Sequence, residues 1–144
     1  MKNLKCLLAI LVAGIVGNLL DAYVQGNLLF NAYYSKIDSM KHDTLAGWFI
    51  FADFVAVAVF TCVYKKVASA FSDGAKGGAC AGFYFGVLVS FPSFHYVYLT
   101  TKGYPYSLAW INTGWVIVWY MIIGAIVGAI MKPSAPTSLT SPPH

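Results

Sequence analysis

The chain has 144 residues, of which 59% are hydrophobic, 17% aromatic and only 10% charged, with a formal net charge of +4. Soluble domains average about 25% charged residues, so this surface is too apolar for water and the bilayer is its natural solvent. All nine basic residues are Lys and lie scattered at segment ends, which excludes the continuous basic stripe of a nucleic-acid binder.

A helix needs about 20 mostly apolar residues to cross the hydrocarbon. Four segments qualify, at about 6–30, 45–64, 77–99 and 106–131. They predict an all-α fold: a four-helix antiparallel transmembrane bundle over 1–131. The Pro-, Ser- and Thr-rich tail, 132–144, is expected to be disordered and cytoplasmic.

The first segment begins "MKNLKCLLAILVAG", with the basic start and apolar core of a signal peptide. Its apolar run outlasts an ordinary h-region and no A-x-A site follows, so it reads as a retained span. The run then turns polar without ending, in "GNLLDAYVQGN". At 3.6 residues per turn, Gly14, Asn18, Asp21 and Gln25 fall within about 60° of one another. A charge at the bilayer centre costs ~3 kcal/mol, so this stripe should face other helices.

The second segment carries Asp53 in "WFIFADF". Counting inward at 1.5 Å per residue, Asp21 and Asp53 lie about 13 and 12 Å from the same membrane surface. Both carboxylates are therefore expected at one level, joined directly or through water, with Asn18 and Gln25 in the same network. Like-charge repulsion and desolvation would lead the pair to share a proton.

The third segment places Gly78, Gly82, Gly86 and Ser90 four residues apart, a spacing that lets helix backbones approach closely. Pro92 should kink this helix or free a carbonyl near Ser90 and Ser93. His95 follows, ~6 Å deep. It is the only intramembrane His, which excludes a bis-His haem within one chain. The connector "TTKGYP" carries a Gly103–Pro105 turn pair. The fourth segment brings Asn112 and Thr113 to a similar depth and repeats the small-residue spacing at Gly124 and Gly128.

Lys2, Lys5, Lys65, Lys66, Lys76 and Lys132 fall on one side; Lys36, Lys41 and Lys102 fall on the other. The six-to-three split predicts that both termini are cytoplasmic. Cys6, Cys62 and Cys80 then sit near cytoplasmic helix ends, on the reducing side, and read as small packing residues. No C-x-x-C occurs, so neither a thiol redox pair nor a usual zinc site is indicated. Trp48, Trp110, Trp115 and Trp119, with Tyr33, Tyr34, Tyr98, Tyr104 and Tyr106, read as an aromatic belt at the outer interface.

The stretches "AGIVGNLLDAYVQGNLL", "VYKKVASAFSDGAKGGACAGFYFG" and "GAIVGAIMKP" together resemble a group of uncharacterised small four-helix bacterial integral membrane proteins. That resemblance implies a fold and the bacterial inner membrane, and no activity. Separately, "GNLLDAYVQG" followed by "WFIFADF" resembles the two aspartate motifs of lipoprotein signal peptidase, an intramembrane aspartyl protease of four helices. The resemblance implies Asp21 and Asp53 as a pair activating water. It departs at Ala22, where the family has Arg, and at Ile50 or Phe51, where it has Asn. The two motifs also come first in this chain and last in the family.

The polar residues of the spans, Asn18, Asp21, Gln25, Asp53, His95 and Asn112, are thus the candidate ligand or proton site. The same residues equally read as glue, each buried hydrogen bond between helices contributing ~0.6 kcal/mol. The sequence indicates no metal, no catalytic residue and no particular cofactor. The expected function is a non-enzymatic integral membrane protein, an accessory subunit or small binding module. Its partners are the lipid bilayer and either another membrane protein or further copies of itself. The alternative is an intramembrane aspartyl hydrolase or a proton-coupled small transporter using Asp21 and Asp53.

Overall fold

A computed structural model describes residues 2–39 and 46–132. Leu45 and the tail from 133 onward, both part of the expectations above, lie outside the described residues. Among the described residues there are helices and no strands. In lipid the backbone must satisfy its own hydrogen bonds, and a helix does so within one segment.

Helix α1 (Lys2–Tyr23) continues into a π-helical stretch, Val24–Leu29, a further α turn, Phe30–Ala32, and a 3-10 turn, Tyr34–Lys36. The helical path therefore outruns the predicted 6–30 span and carries Tyr34 with it. Helix α2 (Ala46–Val67) is followed by a 3-10 turn, Ala68–Ala70. It passes Tyr64 because Lys65 and Lys66 occupy its last turn, where the helix dipole favours positive charge. Helix α3 (Ala75–Thr100) and helix α4 (Tyr106–Met131) match the predicted third and fourth spans. Between them Gly103 takes φ +82°, a left-handed conformation that a side chain would strain.

Helices α3 and α4 form the closest pair. A methyl group at Gly78 would fall on the Gly124 carbonyl, and one at Gly82 on the Tyr120 carbonyl. At Gly86 it would lie 2.7 Å from Ile117 Cα. The partners fall in number as the α3 position rises. Ser90 completes the seam, donating to the Gly86 carbonyl at 2.6 Å and approaching the Thr113 carbonyl at 3.4 Å. Pro92 is accommodated inside α3, which runs unbroken to Thr100. The Ser93 hydroxyl donates to the Val89 carbonyl nearby, at 2.6 Å.

Helix α1 packs on both α4 and α2. Along the α1–α4 seam the contacts again run in reverse order. Lys5 Nζ donates to the Lys132 carbonyl, Trp119 to Gly17, Trp115 to Asp21 and Gln25 to Asn112. Ala9, Ala13, Val57, Phe60, Tyr64, Ile123 and Val127 are buried between the four helices. Phe60 of α2 sets its ring edge-on to Phe85 of α3, with centroids 5.4 Å apart. Large apolar side chains point outward from every helix, including Leu19, Phe51, Leu88 and Val118. Cys62 and Cys80 are also exposed, which corrects their expected packing role; all three cysteines are free thiols.

Candidate functional site

The seam between α1 and α4 ends in a neutral polar cluster. The π-helical stretch turns Gln25 toward α4, where Asn112 is fully buried at 0% exposure. Gln25 Nε2 donates to Asn112 Oδ1 at 3.1 Å. The Tyr34 hydroxyl lies 2.9 Å from both Gln25 Oε1 and Asn112 Oδ1, so its one proton serves two acceptors. Asn112 Nδ2 donates to the Tyr104 hydroxyl at 2.7 Å. Four side chains from four segments thus satisfy one another. Leu29, Ile37, Leu108 and Ala109 form the apolar cluster around them. Burial pushes the Tyr104 phenol above its ordinary 10.0, opposed by its hydrogen-bonding neighbours Asn112 and Tyr34. A phenol held neutral is a donor and an acceptor at once, which suits it to such a cluster.

One turn back from Gln25, toward the N-terminus of α1, the chemistry changes. Trp115 Nε1 donates to Asp21 Oδ1 at 2.9 Å. The next rung repeats the geometry without a charge, Trp119 Nε1 donating to the Gly17 carbonyl at 2.9 Å. Gly17 is required there, because a methyl group would lie 2.8 Å from the Trp119 ring. Asn18 turns back on its own helix, Nδ2 donating to the Gly14 carbonyl at 2.9 Å. Gly14 in turn admits the Phe54 ring of α2. The polar stripe therefore straddles the crevice between α2 and α4.

Asp53 lies within electrostatic reach of Asp21 and of Tyr120 on α4. No direct hydrogen bond joins the two carboxylates; Asp21 takes its donor from Trp115. Of the residues expected in one network, Asn18 bonds directly to its own helix and Gln25 to Asn112 of α4. The reason is local supply: an indole N–H reaches Asp21 from α4, and a carbonyl of the preceding turn reaches Asn18.

His95 stands apart from all of these. Its Nδ1 lies 2.8 Å from the Phe91 carbonyl, and its ring centroid is 4.5 Å from that of Phe91 and 4.6 Å from that of Trp110. Its Nε2 is buried without a hydrogen-bond partner. Among the described residues no three His, Cys, Asp or Glu side chains come close enough to hold a metal ion. The helical hydroxyls at 61, 90, 93, 100 and 113 donate to backbone carbonyls of the preceding turn.

The expected aromatic belt is only partly a belt. Trp48, at 67% exposure, Trp110, Tyr98 and Tyr106 face outward. Trp119, at 5%, and Tyr104 are buried, and Trp115 and Tyr34 turn inward to polar partners. These four inward rings are the site residues that composition alone assigned to the interface. Two signals pointed to them. Trp115 and Trp119 stand four residues apart, as do Gly17 and Asp21. Gln25 and Asn112 lie about 8 and 9 Å from their helix ends, the same kind of matched depth as the aspartates.

All four helices are long and apolar enough to cross a membrane. With the outward apolar surface, they define the class as a helical integral membrane protein. Comparison with protein-family models, curated proteins and solved structures yields no match.

Proposed function

We propose that this chain is a non-enzymatic accessory subunit or small binding module of a bacterial inner membrane. In this reading the bundle is antiparallel, both termini are cytoplasmic, and the Gln25–Asn112 cluster lies in the outer half of the bilayer. The reverse-order pairing along both α4 seams supports the antiparallel arrangement, and the lysine asymmetry supports the orientation.

The observation that carries the function is Asn112. Its buried amide ties Gln25, Tyr34 and Tyr104 together across four segments. A hydrolytic centre needs a nucleophile and a base left ready to react. Amides and phenols that satisfy one another instead make a buried polar tie that fixes how the helices pack, and so the outer surface that a partner helix would meet. The test is purification of the full chain in mild detergent, with the co-migrating membrane proteins identified. Asp21→Asn and Asp53→Asn should leave that assembly intact, while Asn112→Leu should release the partner.

A second reading rests on one observation, the electrostatic reach between Asp21 and Asp53 on neighbouring helices. It is the intramembrane aspartyl hydrolase or proton-coupled transporter implied by the resemblance to lipoprotein signal peptidase. Peptide cleavage, or proton flux into vesicles loaded with a pH-sensitive dye, would replace the first reading if either Asp→Asn variant abolished it.

A further inference from the structure

Past Tyr23 the helical path of α1 widens into the π-helical stretch Val24–Leu29. The Phe30 amide donates to the carbonyls of Asn27 and Gln25, three and five residues back, on either side of the α-helical four. The Tyr33 amide donates to the Leu29 carbonyl, four residues back, at 2.9 Å, so α spacing has returned there. A π turn takes up one residue more than an α turn would. The α1–α4 seam shows the same surplus. Gly17 to Asp21 is four residues, matched by four from Trp119 to Trp115; Asp21 to Gln25 is four, matched by three from Trp115 to Asn112. Gly26, inside the stretch, has nothing within 4 Å of the place a side chain would take, so no neighbour wedges the wide turn open there.

The sequence here reads "VQGNLLFNAYYSK" and contains two adjacent identical pairs, Leu28–Leu29 and Tyr33–Tyr34. In each pair the second member is the one engaged with the bundle. Leu29 is 7% exposed, in the apolar cluster with Leu108 and Ala109, whereas Leu28 is 52% exposed. Tyr34 bonds to Gln25 and Asn112, whereas Tyr33 packs beside the same apolar cluster. Returning the wide turn to α spacing draws the following residues along by one position, about 100° around the axis and ~1.5 Å along it. That step brings Leu28 to the place of Leu29, and Tyr33 to the place of Tyr34. Each incoming side chain is identical to the one it replaces, so the apolar area and the phenol are both kept. The slip ends by Ile37, where the backbone is already extended at φ −102° and ψ 103°.

We propose that this end of the α1 path is a two-register switch. In the π register Leu29 and Tyr34 face α4; in the α register Leu28 and Tyr33 do. The helix before the stretch stays in place in both, held by Trp119 on Gly17 and Trp115 on Asp21. What changes is the face turned away from the bundle. A ligand or partner seated there meets Leu28 and Tyr33 in one register and Leu29 and Tyr34 in the other. It shifts the population toward the register that it binds more tightly.

The test uses the full chain in detergent, in a background lacking the native cysteines, with single cysteines labelled by N-ethylmaleimide. Leu29→Cys reports the α register, because position 29 turns outward only there. Leu19→Cys, at a position 68% exposed before the stretch, is the reference. Slow but finite labelling is expected at 29. Tyr34→Phe removes a hydroxyl that serves the π register, and should raise the rate at 29 about threefold, equivalent to one interhelical hydrogen bond of ~0.6 kcal/mol. Tyr33→Phe removes the hydroxyl that serves the α register, and should lower that rate about threefold. Deletion of Gly26 takes out the surplus residue, fixes Leu29 and Tyr34 inward at α spacing, and should make position 29 resistant. An unchanged rate at Leu19→Cys and unchanged helical content by circular dichroism confirm that each variant is folded. A rate at 29 that Tyr34→Phe does not raise shows a single fixed register and overturns the proposal. A rate that Tyr33→Phe raises or leaves unchanged shows fraying of the helix end and also overturns it, as does continued labelling at 29 after the deletion.

Discussion

At the scale of single residues, Asn112 concentrates the most consequence. It is fully buried and its amide serves Gln25, Tyr34 and Tyr104. Asn112→Leu leaves those partners without it, and unsatisfied buried groups cost about 1–3 kcal/mol. Average interhelical bonds in lipid are weaker, ~0.6 kcal/mol each. Three bonds lost together give an expected destabilisation of ~2 kcal/mol, measured by denaturant unfolding in detergent; a loss below ~0.5 kcal/mol, the range of ordinary surface substitutions, would show the cluster to be energetically idle. Tyr104 adds a pH signature. Its phenol is raised above 10.0 by burial, so above that pH the unfolded chain loses a proton that the folded chain retains. Stability should therefore be complete below pH 10 and fall as pH climbs through the raised value. Tyr104→Phe should flatten that alkaline loss; an unchanged slope would assign it to other groups.

At the scale of elements, the α3–α4 interface is set by backbone proximity. Gly82 faces the Tyr120 carbonyl and Gly86 faces Ile117 Cα, so Gly82→Leu or Gly86→Leu must force the helices apart. Overpacking of this kind costs about 1–3 kcal/mol, and here the obstacle is rigid backbone, so the upper end is expected. Gly114, on the same α4, has nothing within 4 Å of the position a side chain would take. Gly114→Leu should therefore leave the melting temperature in detergent unchanged. Equal losses from Gly82→Leu and Gly114→Leu would mean that α4 presents a different face to α3. The small-residue spacing on α3 was legible in the sequence because it repeats every four residues. The π-helical stretch, Val24–Leu29, was not, since its apolar and polar letters suit an ordinary helix equally well. That stretch is what aims Gln25 at Asn112.

At the scale of the whole molecule, the proposed orientation rests on the lysine asymmetry. Lys66→Cys, in a background lacking the native cysteines, should resist a membrane-impermeant maleimide in sealed cells, and Lys102→Cys should react. The opposite pattern would invert the topology and move the Gln25–Asn112 cluster to the cytoplasmic half. The cluster's own geometry would be untouched by that outcome, because it depends on the α1–α4 seam. Ser39 donates to the Lys102 carbonyl at 3.1 Å and links the two connectors at the same end.

The sequence by itself determined the number of spans, their approximate limits and the presence of polar residues at matched depths. Those follow from hydrophobic run length and helical rise, which are local quantities. It also marked the lysine-rich end, since charge at a span's edge is readable without knowing any contact. Rotation about each helix axis was decided only by tertiary structure. Asp21 and Asp53 share a level on neighbouring helices, yet Trp115 of α4 supplies the hydrogen bond to Asp21. Asn18 and Gln25 share a stripe, yet one bonds to its own helix and the other to α4. Tryptophans that composition assigned to the interface turned inward, because an indole N–H buried in a bundle finds acceptors there. Depth is fixed by counting residues; partners are fixed by which faces meet, and that depends on close packing of all four helices at once.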